Sequence, residues 1–163
     1  MLGLLGGLLG IPDAVTRAAR GADRSRFADL FARSLLRVLS LPERFAAGLP
    51  ASASPAEILT QVKEAAQVLS ESTGFHPFSY VHNGKRRLPV FATEELAAEF
   101  AKWYALETGR IIPFQILGAD GAVVVPAFAE CDLVVLNDKT KFEYVLSAED
   151  VALVSGASGL TTR

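Results

Sequence analysis

The chain has few of the residues that form covalent or metal cross-links. Its 163 residues include one cysteine, Cys131, and two histidines, His76 and His82. A single cysteine excludes a disulfide framework within the chain and argues against a cysteine-based zinc site. In an ideal strand the two histidines would lie about 20 Å apart, too far to bind one metal ion together. We therefore predict no metal site and no cofactor, and the lone thiol fits a reducing, cytoplasmic location.

The sequence also lacks a large excess of charge and a long apolar run. The formal net charge is −2, which argues against nucleic acid as a partner. The apolar opening MLGLLGGLLGI places only eleven residues before Pro12, too few to span a bilayer. No positively charged segment precedes this run, as a secretory signal would require. Membrane contact through residues 1–11 is kept as an alternative function.

Arginine and helical periodicity characterise the first fifty residues. Apolar side chains recur at helical spacing at Phe27, Leu30, Phe31, Leu35, Val38 and Leu39. Arg26, Arg33 and Arg37 fall on the opposite side of such a helix. We predict a helical N-terminal extension over residues 1–50, followed by a PASASP linker. The three arginines and the apolar face of residues 27–39 are expected to contact a protein partner or a second copy of the chain.

The remaining residues alternate between helix and strand signals. Ser54, Pro55 and Glu57 form a capping box that predicts a helix up to Gly74. Asn83-Gly84 separates two β-compatible runs and predicts a hairpin with a type I′ turn. Thr93 is expected to cap a helix that ends at Gly109.

Four more strands and a last helix are predicted after Gly109. The strands are RIIPFQIL, AVVV after a GADG turn, DLVVLN, and KFEYVL, and Ser147 with Asp150 caps the helix AEDVALV. These elements give an α+β fold for residues 51–154, with a two-layer, mixed or mostly antiparallel sheet covered by helices. Residues 155–163 are predicted to be a mobile tail.

Several of these segments resemble the N-terminal domain of the SseB family, the enhanced serine sensitivity proteins. The resemblance covers roughly residues 57–154 and is carried by Pro89, Phe91, Thr93, Asn137, Leu146, Ser147, Glu149 and Asp150. The family tends to continue after the asparagine with proline and small residues, whereas this chain has Asp138-Lys139-Thr140. The resemblance implies a small α/β module used for binding or regulation, sometimes associated with bacterial secretion systems, and no catalytic residues.

Two further groups of residues are candidates for binding. Lys85, Arg86 and Arg87 follow the predicted turn and can either hold an anion or protect a sheet edge. Tyr104 is expected at the margin of a buried helix face, where it can contact a partner.

The alternative to a binding module is a small hydrolase or transferase with a site near the 76–91 hairpin. Such a site would require His82, Arg86 and Asp132 to converge in a cleft. Cys131 is an unpromising nucleophile because it lies between two acidic residues, which oppose thiolate formation.

Overall fold

A computed structural model describes residues 13–21, 26–72 and 75–157 of the chain, and it confirms the predicted α+β class. The helices are α1 (Ala14–Arg20), α2 (Phe27–Arg33), α3 (Pro55–Ser70), α4 (Glu94–Thr108), α5 (Gly121–Val124) and α6 (Ala148–Ala157). The strands are β1 (Leu35–Ser40), β2 (Leu49–Pro50), β3 (Tyr80–His82), β4 (Lys85–Val90), β5 (Arg110–Ile111), β6 (Gln115–Asp120), β7 (Leu133–Leu136) and β8 (Tyr144–Val145). Two 3-10 helices span Glu43–Phe45 and Val125–Glu130.

The strands form three small sheets in which most pairs are antiparallel, and one of them is the short pair of β2 with β5. One ladder has the order β3-β4-β7-β8, and only β4 and β7 run parallel within it. A second ladder pairs β1 with β6 over six residues. The two ladders meet at Arg37 and Phe91, whose backbones exchange two hydrogen bonds of 2.7 Å. Strand β4 therefore has β3 beside its start and β1 beside its end, and Pro89 lies between these two contacts.

The buried apolar residues divide into two clusters. The larger cluster receives side chains from α1, α2, β1, β4, β7 and α6, and it includes Phe27, Phe31, Leu36, Val38 and Val154. The smaller cluster is formed largely by α4 and the aromatic side chains around Tyr80 and Phe100. Residues from both sides of position 50 thus contribute to the larger cluster.

The predicted helix over residues 27–39 is wrong in its second half. Helix α2 ends at Arg33, and Ser34 adopts an extended conformation while its N–H bonds to the carbonyl of Leu30. The following LLRVLS segment is strand β1. Leu36, which was not part of the predicted helical face, and Val38 are two positions apart and both buried, as residues on one face of a strand are. Pairing with β6 over six residues decides in favour of the strand.

The predicted GADG turn and AVVV strand are also wrong. Gly118 to Asp120 belong to β6, and Gly121 opens helix α5, which leads into the second 3-10 helix. Val124 and Val125 are both buried, which a strand with one solvent-facing side would not produce. Pro126 lies in the first turn of the 3-10 helix, where its missing N–H has no helical partner to lose.

The local capping and turn predictions are confirmed. Ser54 and Glu57 form the reciprocal capping box of α3, and Thr93 caps α4, which ends at Gly109 with a positive φ of 69°. Asn83 and Gly84 have φ values of 52° and 77° in the β3–β4 turn, as a type I′ turn requires. Asp150 and Ser147 cap α6 reciprocally.

The C-terminal helix extends into the predicted tail. Helix α6 continues to Ala157, so the first three residues of the predicted tail are helical, and residues 158–163 lie outside the described residues. The apolar segment 1–11 also lies outside them. Within residues 13–21, 26–72 and 75–157, no helix has the length and apolar character that would suffice to cross a membrane.

Candidate functional site

The loop that follows β7, residues 137–143, is built around a buried carboxylate. Asp138 is fully buried, and it accepts hydrogen bonds from the hydroxyl of Tyr80 at 2.7 Å and from Nη2 of Arg87 at 2.6 Å. The Nε of Arg87 reaches the second carboxylate oxygen at 3.4 Å. Tyr80 and Arg87 face each other across the β3–β4 ladder, so the hairpin register brings both donors to the same carboxylate.

The environment of this cluster fixes its protonation. Burial raises the pKa of Tyr80, and the neighbouring Asp138 carboxylate raises it further because it disfavours a phenolate. Burial is the largest single influence on the pKa of Arg87 and would lower it, but the hydrogen bonds to Asp138 and the charges of Asp138, Tyr80 and Glu143 together outweigh burial, so the pKa is raised. Tyr80 therefore remains a neutral donor and Arg87 a cation.

Asn137 fastens the beginning of the loop. Its φ is 56°, a left-handed conformation that asparagine tolerates better than most residues. Its Oδ1 accepts from the backbone N–H of Ala92 at 3.0 Å, and its Nδ2 donates to the hydroxyl of Thr16 at 2.9 Å. These bonds tie the loop to the end of β4 and to helix α1.

Lys139 projects from the same loop towards an aromatic surface. It also has a positive φ, 61°, and its backbone N–H bonds to Glu143 at 2.8 Å. Its Nζ lies 4.9 Å from the centre of the Trp103 ring and 3.3 Å from Nε2 of His82. An ammonium can only donate, so Nε2 of His82 is the acceptor when the two groups form this hydrogen bond.

Lys85 completes this surface. It is exposed and stands directly opposite His82 in the hairpin register, so the two side chains leave the same face of the ladder. We name the group of Lys85, His82, Trp103 and Lys139 the Lys139 surface. It combines two ammonium groups, an imidazole and a half-buried indole, and such a set can bind an anionic partner without bond-making chemistry.

The three predicted anion-binding cations do not act together. Arg87 is bound to Asp138 and lies 3.4 Å from Glu143. Arg86 turns to the other face, where its guanidinium donates to the hydroxyl of Ser79 at 3.0 Å. Of the predicted set, only Lys85 has an uncompensated charge on the Lys139 surface, because strand alternation turns Arg86 to the other face and Asp138 neutralises Arg87.

The predicted partner-binding arginines lie on two different elements. Arg26 is exposed at the start of α2, and Arg33 on the same helix forms an ion pair with Asp29 at 3.0 Å. Arg37 is half-buried on β1, and its guanidinium lies near the carbonyls of Leu35 and Leu36. The apolar face that was expected to bind a partner beside them is largely turned inward: Phe27 and Phe31 are buried in the larger core cluster.

Tyr104 lies at the edge of the smaller core cluster. Its ring makes edge-to-face contacts with Phe78 and Phe114, each at 5.5 Å between ring centres. Burial raises the pKa of its phenol. These contacts give Tyr104 a packing role, whereas Trp103, one residue earlier, reaches the Lys139 surface.

A cleft of about 340 Å³ opens on the other face of the hairpin. Its walls include Phe75, His76, Ser79, Glu130 and Cys131. Burial raises the pKa of the Cys131 thiol, the hydroxyl of Ser79 and the charge of Arg86 act in the opposite direction, and the two adjacent carboxylates raise it further. The thiol is therefore protonated at neutral pH, which makes it a poor nucleophile.

The three groups of the alternative hydrolase site are divided between the two faces. Asp132 accepts from the backbone N–H of Arg86 at 2.8 Å, so these two residues are neighbours. His82 points to the opposite face, against Lys139 and Trp103. Among the described residues there is also no group of three or more histidine, cysteine, aspartate or glutamate side chains that could hold a metal ion.

Asp138 and Lys139 were not identified from the sequence as site residues. The only signal is their position directly after the buried strand DLVVLN, where the chain also departs from the family pattern. The residues that they contact, Tyr80, Arg87 and His82, are 51 to 58 positions away in the sequence. Local sequence patterns therefore cannot reveal these contacts.

Comparisons with protein-family models, with curated proteins and with solved structures found no match to this chain.

Proposed function

We propose that this chain is a non-catalytic binding or regulatory module of the SseB type that acts through protein–protein contacts. The observation that carries the proposal is the Lys139 surface. There a lysine with a left-handed backbone is held against a half-buried tryptophan at the end of a sheet strand. Left-handed non-glycine residues persist only where the surroundings fix them, and they are concentrated at binding and switch sites. Tryptophan is among the residues that most often dominate binding energy at protein interfaces.

The supporting network makes this surface rigid. Asn137 and Asp138 are both fully buried, and together they connect the loop to α1, β3 and β4. A preorganised surface loses less conformational entropy when a partner binds. The surface therefore suits recognition, and the lone cysteine fits the cytoplasmic location that we propose with it.

Site-specific cross-linking in the cells that naturally produce the chain tests this function. A photoreactive amino acid replaces Lys85 on the surface, and in a second variant it replaces Lys63, which is exposed on α3. We expect a covalent adduct with a partner protein, or with a second copy, from position 85 and none from position 63. An absence of adducts from position 85, or the same adducts from both positions, would contradict the proposal.

A hydrolase or transferase at the Cys131 cleft is the second candidate function. The cleft itself favours it, since it brings His76, Ser79 and Cys131 to one concave surface. A catalytic cysteine would react with iodoacetamide faster than free cysteine does at neutral pH. The raised pKa of Cys131 leads us to expect slower alkylation, accelerating only as the pH approaches that raised value. Faster alkylation, measured by mass spectrometry, would favour the enzyme instead.

A further inference from the structure

The cations near Lys139 have no carboxylate partners within residues 13–21, 26–72 and 75–157. Among the residues that the structure describes, Lys85 and Lys139 form no ion pair, and neither do Arg20 and Lys141. Arg20 donates to the backbone carbonyl of Lys141 at 3.0 Å. Both of these side chains also lie over Phe142, with Arg20 at 5.9 Å and Lys141 at 5.2 Å from the ring centre. Four cations thus lie along the 137–143 loop and the adjoining hairpin turn.

The two carboxylates of the loop are already engaged. Asp138 is buried under Tyr80 and Arg87. Glu143 lies 3.4 Å from Nη2 of Arg87 and accepts the backbone N–H of Lys139 at 2.8 Å. Neither carboxylate forms an ion pair with the four cations, so the loop presents positive charge although the whole chain has a net charge of −2.

The arrangement of these cations favours one ligand chemistry. A single phosphate is gripped best by a guanidinium fork or by converging backbone N–H groups. The fork of Arg87, which could supply such a grip, is bound to Asp138. The guanidinium of Arg20 donates to the backbone carbonyl of Lys141 and lies over the Phe142 ring. The ammonium groups of Lys85, Lys139 and Lys141 are separate charges distributed along the loop and the turn. Separate charges of this kind match a succession of carboxylates better than one compact anion.

We propose that the Lys139 surface, with Lys141 and Arg20 beside it, binds a run of aspartate or glutamate side chains in an extended segment of a protein partner. This inference rests on the proposed protein-binding function and names the chemistry of the partner. Charge complementarity of this kind steers encounter and sets specificity. It also makes binding sensitive to salt, because exposed charges are screened.

Titration of the full chain with an oligoglutamate peptide tests the inference. Trp103 is the only tryptophan in the chain, so its fluorescence reports events at the Lys139 surface directly. We expect a saturable change in Trp103 emission at low ionic strength that weakens when salt is added. An oligoglutamine peptide of the same length is expected to leave the emission unchanged.

Charge-reversal variants locate the binding. Lys139→Glu and Lys85→Glu are each expected to raise the dissociation constant about tenfold, because an attractive contact becomes a repulsive one. Lys63→Glu on α3 makes the same change in net charge away from the surface and is expected to have little effect. The side chain of Lys85 is exposed and forms no hydrogen bond or ion pair with any described residue, so its variant remains informative if the Lys139 variant fails to fold.

Three outcomes would overturn the inference. They are an absence of oligoglutamate binding, binding that neither surface variant weakens, and binding only of inorganic phosphate or of phosphatidylserine vesicles. Cross-links from position 85 without oligoglutamate binding would support the protein-binding function and contradict the inference that the partner segment is acidic. Oligoglutamate binding without any cross-linked protein would count against the protein-binding function itself.

Discussion

Asp138 shows how a single side chain can be both buried and charged. It has no solvent contact, and its acceptors are engaged by the phenol of Tyr80 and the guanidinium of Arg87. The energetic consequence is asymmetric. Two paired charges in the interior contribute little net stability, but removal of one leaves the other desolvated and uncompensated. The loop that carries Lys139 therefore depends on residues that never touch a ligand.

Replacement of Arg87 by methionine tests this dependence. The substitution keeps most of the side-chain volume but removes the counter-charge of Asp138, so we expect the free energy of unfolding to fall by about 3–5 kcal/mol. Urea denaturation measures the loss. Lys85→Met is the matched control: the same change two residues earlier, at an exposed position, is expected to cost less than about 0.5 kcal/mol. Equal effects of the two variants would show that Asp138 does not rely on Arg87.

At the scale of elements, the sequence predicts helix caps and tight turns correctly where a short motif alone determines the backbone conformation. The Ser54–Glu57 capping box and the Asn83-Gly84 turn form as predicted, since each satisfies its backbone within a few residues. Strand β1 and helix α5 could not be predicted in this way. Leu35, Val38 and Leu39 fit a helix period, whereas Leu36 and Val38 fit a strand period, and only pairing with the partner strand β6 resolves the ambiguity.

The same limit applies to the candidate site. Lys85 was identified from the sequence because it follows a recognisable turn. The role of Lys139 depends instead on contacts with Trp103 on α4 and His82 on β3, which are distant in the sequence. The sequence run Lys85–Arg87 also suggested a single anion-binding site, whereas in the structure the three side chains lie on two opposite faces of the hairpin. Strand alternation separates Arg86 from its neighbours, and Asp138 neutralises Arg87.

Gly121 is the element-scale feature that most sharply constrains the fold. A Cβ added at Gly121 would lie 1.8 Å from the carbonyl oxygen of Phe31, so the start of α5 and the end of α2 approach each other as closely as backbones can. Because the obstacle is backbone, it cannot rotate away. The missing side chain of Gly121 therefore allows α5 to begin in contact with the end of α2, where the N–H of Gly121 also donates to the carbonyl of Ser34 at 3.1 Å.

Gly121→Ala is expected to lower the free energy of unfolding by about 3 kcal/mol or more, since the two helices must separate to admit the methyl group. Gly109→Ala provides the control. Its φ is 69° but a Cβ there meets nothing within 4 Å, so only the conformational cost of about 1–2 kcal/mol remains. Thermal and urea unfolding of both variants measure the difference. A loss at Gly121 no larger than that at Gly109 would refute the close approach.

At the scale of the whole molecule, the larger core cluster draws on both ends of the described chain. Phe27, Phe31, Leu36 and Val38 are each at most 1% exposed, and they pack in one cluster with Leu88, Val134 and Val154. Helix α2 packs against α6, and β1 supplies the partner strand of β6. Residues 27–40 thus cover apolar surface that the remainder of the chain would otherwise expose.

A chain that begins at Ala51 is accordingly expected not to fold on its own. It loses four large buried side chains, worth about 1.5–3 kcal/mol each, or roughly 6–12 kcal/mol against a typical total stability of 5–15 kcal/mol. It also leaves β6 without the strand that pairs with it. Near-UV circular dichroism and the cooperativity of urea unfolding measure the outcome, and a chain that begins at Asp13, which keeps every described contact, is the control.

Cooperative unfolding of the Ala51 chain would show that residues 51–154 form an autonomous domain. Loss of folding would mean that deletion of the first fifty residues cannot locate a partner site, whereas point variants on the Lys139 surface can.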